Sequence, residues 1–196
     1  NRGKGGGSAA TGQGRLRLAM TDISELNTRG LVLIGCGRMG GALLDGWLKN
    51  GLAHGAVHVV DPKPRGDLSA IGISVNGKLP ADPAVLVIAV KPQMMADVLP
   101  QLQVGAATLV VSVAAGVTIA AYEAAFPAAP IVRTMPNTPA AIGQGITAIV
   151  GNARADEGDL ALAGALMSAV GRVVRLADEE LLDAVTALSG SGPAYV

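Results

Sequence analysis

Leu31-Val32-Leu33-Ile34-Gly35-Cys36-Gly37-Arg38-Met39-Gly40 decides the fold. Four apolar residues run into a GxGxxG turn, and Ala42-Leu43-Leu44-Asp45-Gly46-Trp47-Leu48 continues it as an amphipathic segment. That order reads as strand, glycine turn, helix. Gly35 permits the tight turn, Gly37 lets a pyrophosphate approach backbone that carries no Cβ, and Gly40 lets the new helix pack closely on the strand. The N–H groups and positive dipole end of that helix then face the anion. About 20 residues further on, Asp61 closes the next apolar run, Val57-His58-Val59-Val60, where a carboxylate accepts ribose hydroxyls. These residues predict a dinucleotide-binding strand–helix–strand unit.

The composition agrees with that reading. Hydrophobic residues make up 50% of the 196, but aromatics only 2%. The core is therefore expected to be Ala, Val, Leu and Ile, as in a parallel sheet covered by helices on both faces. Fifteen basic and fifteen acidic residues cancel. No long-range field attracts nucleic acid or an anionic membrane, so neither is expected as a partner. The longest apolar runs, such as Ala84 to Val90, are too short to cross a bilayer. One cysteine excludes an intrachain disulfide and fits a reducing, cytoplasmic setting.

Strand-like runs are expected near 31–35, 56–60, 84–90, 108–113, 130–134, 146–150 and 172–176, and helices near 38–50, 93–102, 118–126, 156–170 and 179–188. Thr118 and Asp178 are candidate N-caps, and any helix in the Pro- and Gly-rich segment 61–83 should be short. The alternation selects an α/β, Rossmann-like doubly wound, mainly parallel sheet, followed by the start of an all-α domain. Residues 1–28 read as a flexible N-terminal extension, 29–177 as the dinucleotide-binding domain, and 178–196 as the start of a helical domain. Within the extension, 1–19 are Gly-, Ser- and Arg-rich without periodicity, and Met20 is the expected start of the protein proper.

Further motifs lie where an open parallel sheet presents its ligand edge, beyond the carboxyl ends of strands. Ala89-Val90-Lys91-Pro92 places a lysine, fixed by a following proline, in reach of a cofactor or simply in solvent. Val113-Ala114-Ala115-Gly116 is small enough for a flat ring or ribose to approach, and equally suits tight helix–strand packing. In Arg133-Thr134-Met135-Pro136-Asn137-Thr138-Pro139, two prolines fix Asn137, whose amide suits a nicotinamide carboxamide or a rigid turn. Ser189-Gly190-Ser191-Gly192-Pro193-Ala194-Tyr195 offers N–H groups and hydroxyls to a carboxylate, or is a linker. Cys36 has no identifiable base nearby, and two histidines, His54 and His58, leave little material for a metal site or a nucleophilic triad. Trp47, Met94 and Met95 read as packing residues, and Glu179 and Glu180 as a first-turn helix face favoured by the dipole.

In this order and spacing, the five motifs resemble pyrroline-5-carboxylate reductases from about Leu31 to Val196. The resemblance implies a Rossmann domain followed by an all-α dimerisation domain, hence a homo-oligomer. It implies NADPH or NADH on the Gly35, Cys36, Gly37, Arg38, Met39, Gly40 loop, with the adenosine end near Asp61 and Asn76. The rest of the cofactor would run past Ala89, Val90, Lys91 and Pro92 and past Val113, Ala114 and Ala115 toward Asn137. The substrate would be 1-pyrroline-5-carboxylate, a small molecule reduced at its C=N bond to L-proline. A protonated imine is already electrophilic, so no catalytic side chain and no metal are assigned.

The family's carboxylate-binding loop and most of its helical domain would fall beyond Val196, so residues 20–196 alone are expected to bind cofactor without competent turnover. Asp61 favours NADH by repelling a 2′-phosphate, by about 1–4 kcal/mol between water and a surface-like dielectric. Lys63 and Arg65, flanked by Pro62 and Pro64, can offset it. Two other readings fit the glycine turn. A β-hydroxyacid-type dehydrogenase needs a proton-transferring lysine, and Lys91, the only motif lysine, stands early in the chain for that. A non-catalytic NAD(P)-binding regulator leaves the remaining motifs without a purpose.

Overall fold

The computed structural model describes residues 20–136 and 145–182. Its strands are β1 (Leu31–Ile34), β2 (Val57–Val60), β3 (Ser74–Val75), β4 (Val85–Ile88), β5 (Leu109–Ser112), β6 (Ile131–Pro136), β7 (Gly145–Gly151) and β8 (Gly171–Arg175). Its α-helices are α1 (Met20–Arg29), α2 (Arg38–Lys49), α3 (Met95–Val98), α4 (Ile119–Ala125) and α5 (Glu157–Met167). The strands form one sheet in the order β3-β2-β1-β4-β5-β6-β7-β8. All neighbours are parallel except β6 and β7. The order reverses at β1, which has β2 on one side and β4 on the other, with Ile34 level with both Val60 and Ile88. This is the switch point at which doubly wound sheets open a ligand crevice.

The central strands β1, β4 and β5 are almost wholly apolar and fully buried because both of their faces are covered. Successive side chains point to opposite faces. Leu31, Leu33, Val85, Val87 and Val111 join one buried cluster with Trp47 of α2 and Leu166 of α5. Val32, Ile34, Leu86, Ile88 and Val110 join the other with Met95 of α3 and Tyr122 of α4. The scarcity of aromatics has the expected consequence: the sheet is filled by branched aliphatics, with Trp47 as the large plug on one face and Tyr122 and Phe126 on the other.

Two expectations need correction. Residues 20–28 are not a flexible extension, because Met20–Arg29 is helical. Leu26 is fully buried, and Arg29 donates to the carbonyls of Pro83 (3.2 Å) and Ala107 (2.7 Å) while pairing with Glu25 and Asp82. Residues 1–19 lie outside the described residues. The helix expected at 93–102 is three short pieces instead: a 3₁₀ turn at Pro92–Met94, α3, and a 3₁₀ turn at Leu99–Gln101. Pro100 has no N–H to continue a helical ladder. The sheet also gains β3, two residues long and paired with His58 and Val59, which has too little sequence to show a pattern.

Other local readings hold. Thr118 caps α4, its hydroxyl accepting from the Ala121 N–H at 3.3 Å. A helix starts at 179, immediately after Asp178, and residues 183–196 lie outside the described set, including the Ser189–Tyr195 turn. Asp156 and Asp159 form a reciprocal capping box at the head of α5.

The contact between α2 and the end of α5 fixes the first helix against the sheet. The Trp47 indole N–H donates to the Leu166 carbonyl at 2.9 Å, and both residues are fully buried. A Cβ on Gly46 would stand 2.5 Å from that of Ala169, so only glycine allows this approach. Trp47→Phe keeps an aromatic plug but removes the hydrogen bond to that carbonyl and leaves a void. It is expected to lower unfolding stability by about 1–3 kcal/mol, read from urea denaturation followed by circular dichroism.

Candidate functional site

The glycine turn sits at the carboxyl end of β1. Gly35 has φ +90, and a Cβ there would stand 2.9 Å from the Ala89 carbonyl oxygen, so conformation and space both demand glycine. A Cβ on Gly40 would drive into the Gly35 carbonyl oxygen, so this glycine sets how closely α2 starts behind the turn. Gly37 differs: its φ is −70, and a Cβ would meet nothing within 4 Å. Its missing side chain serves open space in front of the turn, not packing. Gly37 is also the N-cap of α2, has no side chain to cap the helix, and is followed by a first turn without an acidic residue. The helix dipole at this end is therefore left for an external anion. Arg38 is exposed beside it, while Met39 is half-buried against the core.

Asp61 holds this turn in place. Its Oδ2 accepts from the Cys36 N–H at 2.6 Å and its Oδ1 from the Lys63 N–H at 2.7 Å. Asn76, at φ +51, holds Asp61 in turn: its amide donates to the Asp61 carbonyl at 2.8 Å and accepts from the Asp61 N–H at 2.9 Å. Asp61 thus bridges the ends of β1 and β2, and each carboxylate oxygen keeps one lone pair for an outside hydroxyl. Asn76 acts on the backbone beneath. Arg65 turns away onto α2, where it pairs with Asp45.

The other motifs form the continuation of this floor. Ala89 follows β4, its N–H donating to the Ile34 carbonyl at 2.8 Å, and Val113 follows β5, its N–H donating to the Ile88 carbonyl at 3.0 Å. Ala114 is buried, with its N–H on the Ser112 hydroxyl (3.2 Å), while Ala115, Lys91 and Pro92 are exposed. Three adjacent strands, β1, β4 and β5, therefore end along one edge, with Gly35, Ala89 and Ala114 just past their ends. Asn137 lies outside the described residues.

An ion pair near this floor escaped the sequence reading. Arg133 of β6 is 1% exposed, and its Nη1 donates to Glu179 at 2.6 Å. The same Glu179 oxygen accepts from the Ile119 N–H at 2.8 Å, at the first residue of α4. Glu179 is therefore not an outward helix face but a clasp joining β6, α4 and the helix beginning at 179. The only signals available were an arginine inside an apolar strand and an acidic helix start 46 residues later.

A sheet reversing at β1, with a glycine turn opening onto a helix N-terminus, defines the Rossmann class of dinucleotide-binding domains. The family model described as NADP oxidoreductase coenzyme F420-dependent matches residues 30–116. A pyrroline-5-carboxylate reductase from Pseudomonas aeruginosa is 38% identical over 179 residues, covering 87% of this chain. The chain spans 66% of that relative's length, just under two thirds. The structure of a pyrroline-5-carboxylate reductase from Coxiella burnetii superposes with TM-score 0.71 and 31% identity, over 86% of this chain and 66% of that one. That of Plasmodium falciparum pyrroline carboxylate reductase, solved with NADP bound, has the same TM-score at 26% identity, over 86% and 65%. Over most of its length the chain is similar to pyrroline-5-carboxylate reductases.

Cys36 lies inside the turn, 1% exposed. Burial pushes its thiol above the ordinary range, against a partial opposing pull from the Arg65 guanidinium. Low access and a small thiolate fraction make it a packing residue rather than a nucleophile. Native protein is expected to resist iodoacetamide at pH 8 and to take up one equivalent on unfolding in guanidinium, read by intact mass.

Proposed function

We propose that the protein is a pyrroline-5-carboxylate reductase that reduces the cyclic imine 1-pyrroline-5-carboxylate to L-proline in the cytoplasm with NADH or NADPH. The observation that carries the reading is the alignment of the turns after β1, β4 and β5 along one edge, with an uncapped helix N-terminus at their head. A reduced nicotinamide dinucleotide would supply the hydride that adds to the C=N carbon. The Gly35–Gly40 turn and α2 would hold its pyrophosphate, Asp61 its adenosine ribose, and the Ala89–Pro92, Val113–Ala115 and Asn137 turns its nicotinamide half. The residues fit such a group, because the space in front of Gly37 is the space a side chain would fill.

The described edge is nearly free of acid–base groups, as suits reduction of an imine that arrives protonated. Lys91, exposed at the edge, is read as a cofactor neighbour and not as a proton donor. Residues 178–196 are read as opening a helical domain that completes the substrate pocket and joins copies of the protein. Asp61 with Arg65 turned aside favours NADH.

The test is NADH and NADPH oxidation by the full-length protein with and without pyrroline-5-carboxylate. Imine-dependent oxidation with proline as product supports the reading, and dinucleotide binding without turnover would move it to a regulator. Gly37→Ala separates binding from folding: its Cβ strains nothing, so the melting temperature should stay near wild type while dinucleotide affinity falls about tenfold or more.

A further inference from the structure

Arg65 is the strongest phosphate ligand by type in the loop after β2, yet it is turned onto α2. Its Nη2 donates to Asp45 Oδ1, from a residue 20 positions earlier in the chain. The side chain lies flat across the first turn of the helix, where a Cβ on Gly41 would stand 2.9 Å from its Nε and 3.1 Å from its Cδ. The absence of a side chain at Gly41 thus leaves the bed in which the guanidinium rests. Its charge also neighbours the Cys36 thiol, inside the turn that Asp61 holds. Arg65 is therefore adjacent to the adenosine end of the site while committed to a carboxylate that is not part of it. The loop's other cation, Lys63, is exposed two residues earlier, and Pro62 and Pro64 flank it.

We propose that Asp45 is a cofactor-selectivity residue: by holding Arg65 on α2 it keeps the guanidinium from a ribose 2′-phosphate and weights the site toward the dinucleotide whose 2′-hydroxyl is free. The inference rests on the dinucleotide reading above and adds to it a residue outside the binding loops. A guanidinium matches a phosphate in two parallel hydrogen bonds, so its availability is worth more to a 2′-phosphate than that of an ammonium. Asp45 competes for those bonds. Both partners are close to half exposed, at 45% and 46%. A pair so placed is weak, which makes Asp45 a graded bias and not a switch.

Direct titration of NADH and NADPH into full-length protein, followed by nucleotide fluorescence, reads the ratio of the two dissociation constants without requiring turnover. Asp45→Asn is expected to shift that ratio toward NADPH by about three- to fivefold. Asp45→Glu, which keeps the carboxylate, should stay near the wild-type ratio. In an Arg65→Gln background the Asp45→Asn shift should vanish, because the group being released is gone. A merely structural role for Asp45 would weaken both dinucleotides together and leave the ratio still. An unmoved ratio in Asp45→Asn, or an equal shift in the Arg65→Gln background, overturns the inference while the dinucleotide reading stands. Failure of wild-type protein to bind either dinucleotide overturns both.

Discussion

The close approach of Gly40 to the Gly35 carbonyl is the contact on which the rest of the structure depends. It sets where α2 begins relative to the end of β1. That position fixes two things at once. Behind, it seats Trp47 under Leu166 and so locks α2 against α5 and one face of the sheet. In front, it aims the uncapped helix N-terminus across the switch point. A single added methylene-sized group would push the helix away from both tasks. Packing and the aim of the helix N-terminus are thus one geometric fact here, because a close-packed interior transmits a displacement instead of absorbing it.

Polar side chains in this fold spend most of their hydrogen-bonding capacity on backbone. Asp61 stitches the turn after β1 to the turn after β2, and Asn76 stitches Asp61 to the start of the following segment. Glu179 joins β6 to α4. Arg29 ties α1 to the chain on either side of β4. Each tie satisfies donors or acceptors at strand and helix ends, where the regular ladders run out and an unmet group is costly.

Arg133 and Glu179 have a further consequence. A buried guanidinium needs its carboxylate, so β6 and the helix that begins at 179 are held together by more than chain connectivity. The segment that leads from β6 toward Asn137 starts from this anchored strand. The described core thereby presents a fixed edge to whatever follows residue 182.

What the sequence determined by itself was everything carried by neighbours in the chain. The GxGxxG turn between an apolar run and an amphipathic one defines strand, turn and helix within ten or so residues, and the turns after β4 and β5 follow their strands directly. Local sterics and periodicity decide such features, so they are legible without a structure. Tertiary structure alone decided the partners. The fold pairs Asp45 with Arg65, Arg133 with Glu179, and Arg29 with carbonyls as far as 78 residues away. It also turned residues 20–28 from an apparent tail into a docked helix through one buried leucine and one arginine. A charged side chain has the same appearance in a sequence whether it meets water or a partner. Which it meets depends on where the sheet carries distant segments, and no spacing within a single element encodes that.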